Sequence, residues 1–93
     1  MPKILHILKE PYSPLALEMI KEEAKNPQQE VLILLIQEAV KKALPLNDSI
    51  KAYILKEDLE ERGLTPPPNM KYTCINYQGM LDLIYQADKV VTW

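Results

Sequence analysis

The chain has 93 residues, 47% of them apolar, which suffices for one core and one domain, 1–93. Its 11 basic and 13 acidic side chains leave a net charge of −2, and Arg62 is the one Arg, so nothing marks a dedicated nucleic-acid binder. One Cys excludes an internal disulfide framework, one His excludes a His-rich zinc site, and Gly63 and Gly79 are too few for a phosphate-binding loop or a three-glycine dinucleotide fingerprint.

Ile4-Leu5-His6-Ile7-Leu8 is short, apolar and β-branched, and reads as a buried strand. Lys9-Glu10-Pro11-Tyr12 breaks it. Ser13-Pro14 then supplies an N-cap and a proline at the first helical position. From Leu15 to Lys25, Ala16, Leu17, Ile20 and Ala24 share one face, and Glu18, Lys21, Glu22 and Lys25 the other. This is an amphipathic helix, ended by Asn26-Pro27.

Val31 to Ile36 is a continuous apolar run, as in a strand covered on both faces. It is far short of the ~18 residues of a membrane span. No leader pattern follows Met1-Pro2-Lys3-Ile4, so a cytoplasmic protein without a membrane partner is expected. A second helical pattern puts Ala39, Val40, Ala43 and Leu44 inward, and Pro45 stops it. Lys51 to Leu55 is a third strand. Lys56 to Arg62 is a short charged helix with Gly63 as its C-cap. Thr65-Pro66-Pro67-Pro68-Asn69 reads as a stiff surface connector. Tyr72 to Ile75 is a fourth strand. A last helix runs from Tyr77 or Gln78 to about Ala87, with Met80, Leu83, Ile84 and Ala87 inward. Val90 to Trp93 adds a final short strand. Alternating strands and helices predict an α/β sandwich in three layers, with a mostly parallel sheet and helices on both faces.

In such a sheet, sites sit at the carboxyl ends of the strands. That rule selects Tyr12 and Ser13, Gln37 and Glu38, Glu57 and Asp58, and Tyr77. Glu57 and Asp58 read first as acidic residues in a helical first turn, favoured by the macrodipole. Adjacent carboxylates on a helix diverge by about 100°, which is poor geometry for a shared metal or proton. His6 reads as a satisfied core histidine. No Gly-x-Ser-x-Gly elbow surrounds Ser13 or Ser49. Cys74, between Thr73 and Ile75 in a predicted strand, reads as core; its alternative is a thiol nucleophile. No catalytic residue, metal ligand or cofactor is expected otherwise.

Several stretches resemble the DsrH/TusB family when taken in order. They are Leu5-His6-Ile7-Leu8 with Pro11-Tyr12-Ser13, and Leu34-Leu35-Ile36-Gln37-Glu38-Ala39-Val40. Next come Ala52-Tyr53-Ile54-Leu55 with Glu57-Asp58-Leu59-Glu60-Glu61-Arg62-Gly63-Leu64, then Ile75-Asn76-Tyr77 with Asp82-Leu83. Asp88-Lys89-Val90-Val91-Thr92-Trp93 closes the series. The resemblance implies a DsrE/DsrF/DsrH-like fold and a subunit of a cytoplasmic sulfur relay, part of a sulfurtransferase complex. One branch of the family serves 2-thiolation of wobble uridine in tRNA; the other serves dissimilatory sulfur oxidation. The implied partners are homologous DsrE/TusD-like and DsrF/TusC-like subunits in a hetero-oligomer, with tRNA contacted only indirectly and self-association of the isolated chain.

Two departures matter. The cysteine that some members carry in the first-helix region is absent from Leu15 to Lys25, which points away from a sulfur-carrying role. The family's Asp-Gly after Gln37 is Glu38-Ala39, and Ala resists positive φ, so that turn needs another geometry. The expectation is a non-catalytic subunit serving tRNA wobble-uridine 2-thiolation. The competing expectations are a subunit of the dissimilatory sulfur-oxidation relay, a homo-oligomeric carrier using Cys74, and a small-ligand-binding domain of flavodoxin-like shape.

Overall fold

The computed structural model describes residues 2–9, 14–41, 49–66 and 71–93 and contains one five-stranded sheet. The strands are β1 (Lys3–Leu8), β2 (Glu30–Leu35), β3 (Ile50–Leu55), β4 (Tyr72–Ile75) and β5 (Lys89–Thr92). Helices α1 (Pro14–Ala24), α2 (Lys56–Glu61) and α3 (Tyr77–Gln86) alternate with them, and a 3₁₀ helix (Gln37–Lys41) follows β2. The spatial order is β4-β3-β2-β1-β5, and every neighbouring pair is parallel.

Side-chain alternation divides the core into two layers. One face of the sheet gives Leu8, Val31, Ile33, Leu35, Ile50 and Ile54 to a cluster closed by Ile20 of α1, Ala39 and Val40 of the 3₁₀ helix, and Leu59 of α2. The other gives Leu5, Ile7, Leu32 and Leu34 to a cluster covered by Met80, Leu83 and Ile84 of α3. The path explains the split. The chain steps outward from β1 to β4 with its crossovers on one face. It then returns past β1 to β5, and a right-handed crossover in the reverse direction must lie on the opposite face.

The expected α/β sandwich is therefore present, and the inward residues of α1 and α3 are the ones their periodicity selects. After α2, Gly63 takes φ +66°. The Leu64 N–H reaches the Leu59 carbonyl at 2.9 Å and the Gly63 N–H reaches that of Glu60 at 3.1 Å. This is a Schellman ending, which only a residue without Cβ enters at no cost. The second helical pattern begins as a 3₁₀ turn; Ala43, Leu44 and Pro45 lie outside the described residues. Among the described residues no helix is long and apolar enough to cross a membrane.

Cys74 corrects an expectation. β4 is a four-residue strand at the sheet edge, and the Cys74 thiol is exposed, not in the core. Its ladder neighbour Ile54 is fully buried beneath the helical layer, which does not extend over β4 at this position. Replacement by Ser at such a surface position should change stability by no more than about 0.5 kcal/mol. The native protein should also react with an alkylating reagent at nearly the rate of the unfolded chain. Protection from alkylation until global unfolding would contradict this.

Candidate functional site

The connections after β3 and β4 leave the sheet towards opposite faces, into α2 and α3 respectively. The reversal point of this fold is therefore the edge between the carboxyl ends of those two strands, where a crevice is expected. Glu57 and Tyr77 meet there: the Tyr77 N–H donates to Glu57 Oε2 at 3.2 Å. The other carboxylate oxygen, Oε1, is buried without a hydrogen-bond partner. Asn76 caps α3, its Oδ1 accepting from the Gly79 N–H at 2.9 Å. The carboxylate of Glu57 thus neutralises a free N–H and the positive end of the α3 dipole.

Asp58 points elsewhere, as the divergence of adjacent helical side chains requires. It is buried, and its Oδ2 accepts from the Gln37 N–H at 2.5 Å. Gln37 has φ +53°, so the left-handed residue of this turn precedes Glu38-Ala39, and Ala39 enters the 3₁₀ helix unstrained. Arg62 closes the arrangement. Its Nε and Nη2 donate to Glu38 Oε1 at 2.9 and 2.8 Å, and its Nη1 to the Asp58 carbonyl at 3.1 Å. Lys41 pairs with the second oxygen of Glu38 at 2.6 Å. Lys41 first, then Arg62, holds the Glu38 carboxyl below its ordinary value of 4.5. A depressed folded-state pKa means the clamp contributes above that ordinary value and is lost as pH falls through the folded one.

The structure thus brings Gln37, Glu38 and Asp58 together through Arg62, and separately joins Glu57 to Tyr77. Tyr12 and Ser13 lie outside the described residues. Among the described residues, no three His, Cys, Asp or Glu side chains gather as metal ligands.

His6 is buried and fully satisfied. The Trp93 indole N–H donates to His6 Nδ1 at 3.0 Å, and His6 Nε2 lies 2.8 Å from Glu23 Oε1. Indole is a donor only, so Nδ1 accepts and Nε2 carries the proton given to Glu23. The core reading of His6 holds. Its partners lie 87 and 17 residues away, a separation that local pattern does not reveal.

Removing the Asp58 carboxylate should leave the Gln37 N–H unpaired in a part-buried turn. Asp58→Ala should cost about 1–3 kcal/mol, read by urea denaturation. Asp58→Asn, which keeps an acceptor oxygen, should cost less. An unchanged midpoint for the alanine variant would contradict the role given to Asp58.

No curated protein matches the chain. Among solved structures, the ychN protein from E. coli is similar over 100% of both chains, with a TM-score of 0.70 and 18% identity, a likeness of fold. The model of the DsrH like protein family matches residues 13–90. With most of its length so matched, the chain belongs to the DsrH-like family.

Proposed function

We propose that the chain is a non-catalytic subunit of a cytoplasmic sulfur-relay complex serving 2-thiolation of wobble uridine in tRNA. It acts in a hetero-oligomer with homologous DsrE/TusD-like and DsrF/TusC-like subunits. The observation that carries this reading is the family match over residues 13–90. In each relay step an acceptor thiolate attacks the outer sulfur of a persulfide. A new S–S bond forms, the old one breaks, and the donor leaves as a thiolate, so no external oxidant is consumed.

A carrier needs an accessible thiol and a neighbour that favours the thiolate, such as a helix N-terminus or a cation. Cys74 meets the first requirement, being exposed. It sits within β4, two residues before the Asn76 cap, and outside the first turn of α3. The polar groups at the strand ends support a structural task instead: Asp58, Arg62 and Glu38 hold the turn after β2 against α2. With net charge −2, contact with tRNA falls to the partners.

A second reading, in which Cys74 carries sulfur, is favoured by the exposure of its thiol. The two separate cleanly. Affinity isolation from the native host should recover two small sister proteins. Loading that complex with a persulfide donor and trapping with an alkylating reagent should label a sister's cysteine faster than Cys74. Cys74→Ala should leave transfer unchanged. Loss of transfer in a folded, assembled Cys74→Ala complex would replace the non-catalytic reading with the carrier one. Isolation without sister subunits would contradict the non-catalytic reading and leave the homo-oligomeric carrier standing.

A further inference from the structure

Trp93 fastens the carboxyl end of β5 to β1. Its backbone N–H donates to the Ile7 carbonyl at 2.9 Å. Its indole N–H donates to His6 Nδ1 at 3.0 Å, and the two rings stack with centroids 6.1 Å apart. The indole packs, half-buried, against the first core cluster. A separate clamp holds the other end of β5: the Asp88 N–H donates to the Lys3 carbonyl at 2.8 Å, and the Lys3 N–H to Asp88 Oδ2 at 2.7 Å. Between these anchors β5 is four residues long, mostly exposed, and paired on one side only.

The indole bond has a chemical condition. A neutral imidazole keeps one ring nitrogen as an acceptor; an imidazolium carries N–H on both and accepts nothing. Nε2 faces Glu23 Oε1 at 2.8 Å and donates to it. A second proton can therefore enter only at Nδ1, where it meets the indole N–H, donor against donor. Glu23, from α1, is the carboxylate that faces the ring, and it favours the imidazolium. On the same face of the sheet β2 presents only apolar Val31, Ile33 and Leu35, and α1 adds Ile20. The ladder partner on β5 is Val91, and exposed Lys89 lies two residues along the same face.

We propose that Glu23, His6 and Trp93 form a proton-operated latch on β5. Uptake of a proton by His6 expels the indole and frees the strand from Val91 onward, while the Asp88 clamp keeps its other end tethered. Proton binding and indole docking exclude one another, so each weakens the other by the same factor. With the latch open, the Ile7 carbonyl loses its N–H partner and the outer edge of β1 lies uncovered at that point. The latch does not depend on the relay reading.

The chain holds one His and one Trp, so NMR reads both halves of the latch directly. As the pH falls from about 8 to about 5, the His6 ring and the Trp93 indole N–H should shift with a common midpoint. The Trp93 amide should lose at least about tenfold in hydrogen-exchange protection, while that of Asp88 keeps its own. Trp93→Phe removes the donor and keeps an aromatic ring; it should move the His6 titration to higher pH. Glu23→Gln keeps an acceptor for Nε2 and removes the charge; it should move the titration to lower pH. An indole signal that stays put while His6 gains its proton would overturn the proposal. So would a His6 that takes up no proton until the chain unfolds, or a Trp93→Phe variant that titrates at the unaltered midpoint. Should Trp93→Phe fail to fold, the coincidence of the two signals in the unaltered chain decides alone.

Discussion

Two adjacent parallel strands, β1 and β2, must be hidden on both faces, and most of the structure follows from that requirement. Leu5, Leu8, Val31, Ile33, Leu34 and Leu35 are almost fully buried in them. A parallel pair cannot be joined by a hairpin, so each step across the sheet needs a crossover that also serves as a cover. Among the described helices, α1, the 3₁₀ helix and α2 lie over one face and α3 over the other. The second face is closed by α3 alone among the described helices, and no residue of α3 is fully buried. The helix that completes the second layer therefore turns a large part of its own surface outward.

The strand-end edge is organised by backbone satisfaction. Asp58 exists to meet an N–H that the left-handed turn at Gln37 exposes, and Glu57 meets one at the start of α3. Arg62 ties the first of these to Glu38. Among the described residues this edge is polar, and its carboxylates are engaged with backbone N–H groups and Arg62. The lone thiol lies on the side edge of the sheet instead, exposed within β4.

Much of this was legible in the sequence because the signals were local. The uninterrupted runs at 4–8 and 31–36 announced two-sided burial, and the spacing of Ala16, Leu17, Ile20 and Ala24 announced the inner face of α1. Gly63 announced its turn. What escaped depended on strand order. Cys74 looked like core because its neighbours suggested a strand, but only the placement of β4 at the edge decides its exposure. The bonds from Trp93 and Glu23 to His6, and from Asp58 to Gln37, join residues far apart in the chain, and no periodicity records them. The positive φ at Gln37 escaped because attention falls on Asp-Gly, and here the turn is made one residue earlier.

The central claim is that stability is concentrated in β1, β2 and β3, with β4, β5 and α3 held more loosely around them. Native-state hydrogen exchange, residue by residue, tests it directly. The amides of Leu5, Ile7, Ile33 and Leu34 should exchange only through global unfolding. Those of Thr73, Val90 and the outer turns of α3 should exchange through smaller openings, insensitive to low denaturant. Equal protection across all five strands would contradict this division of the fold.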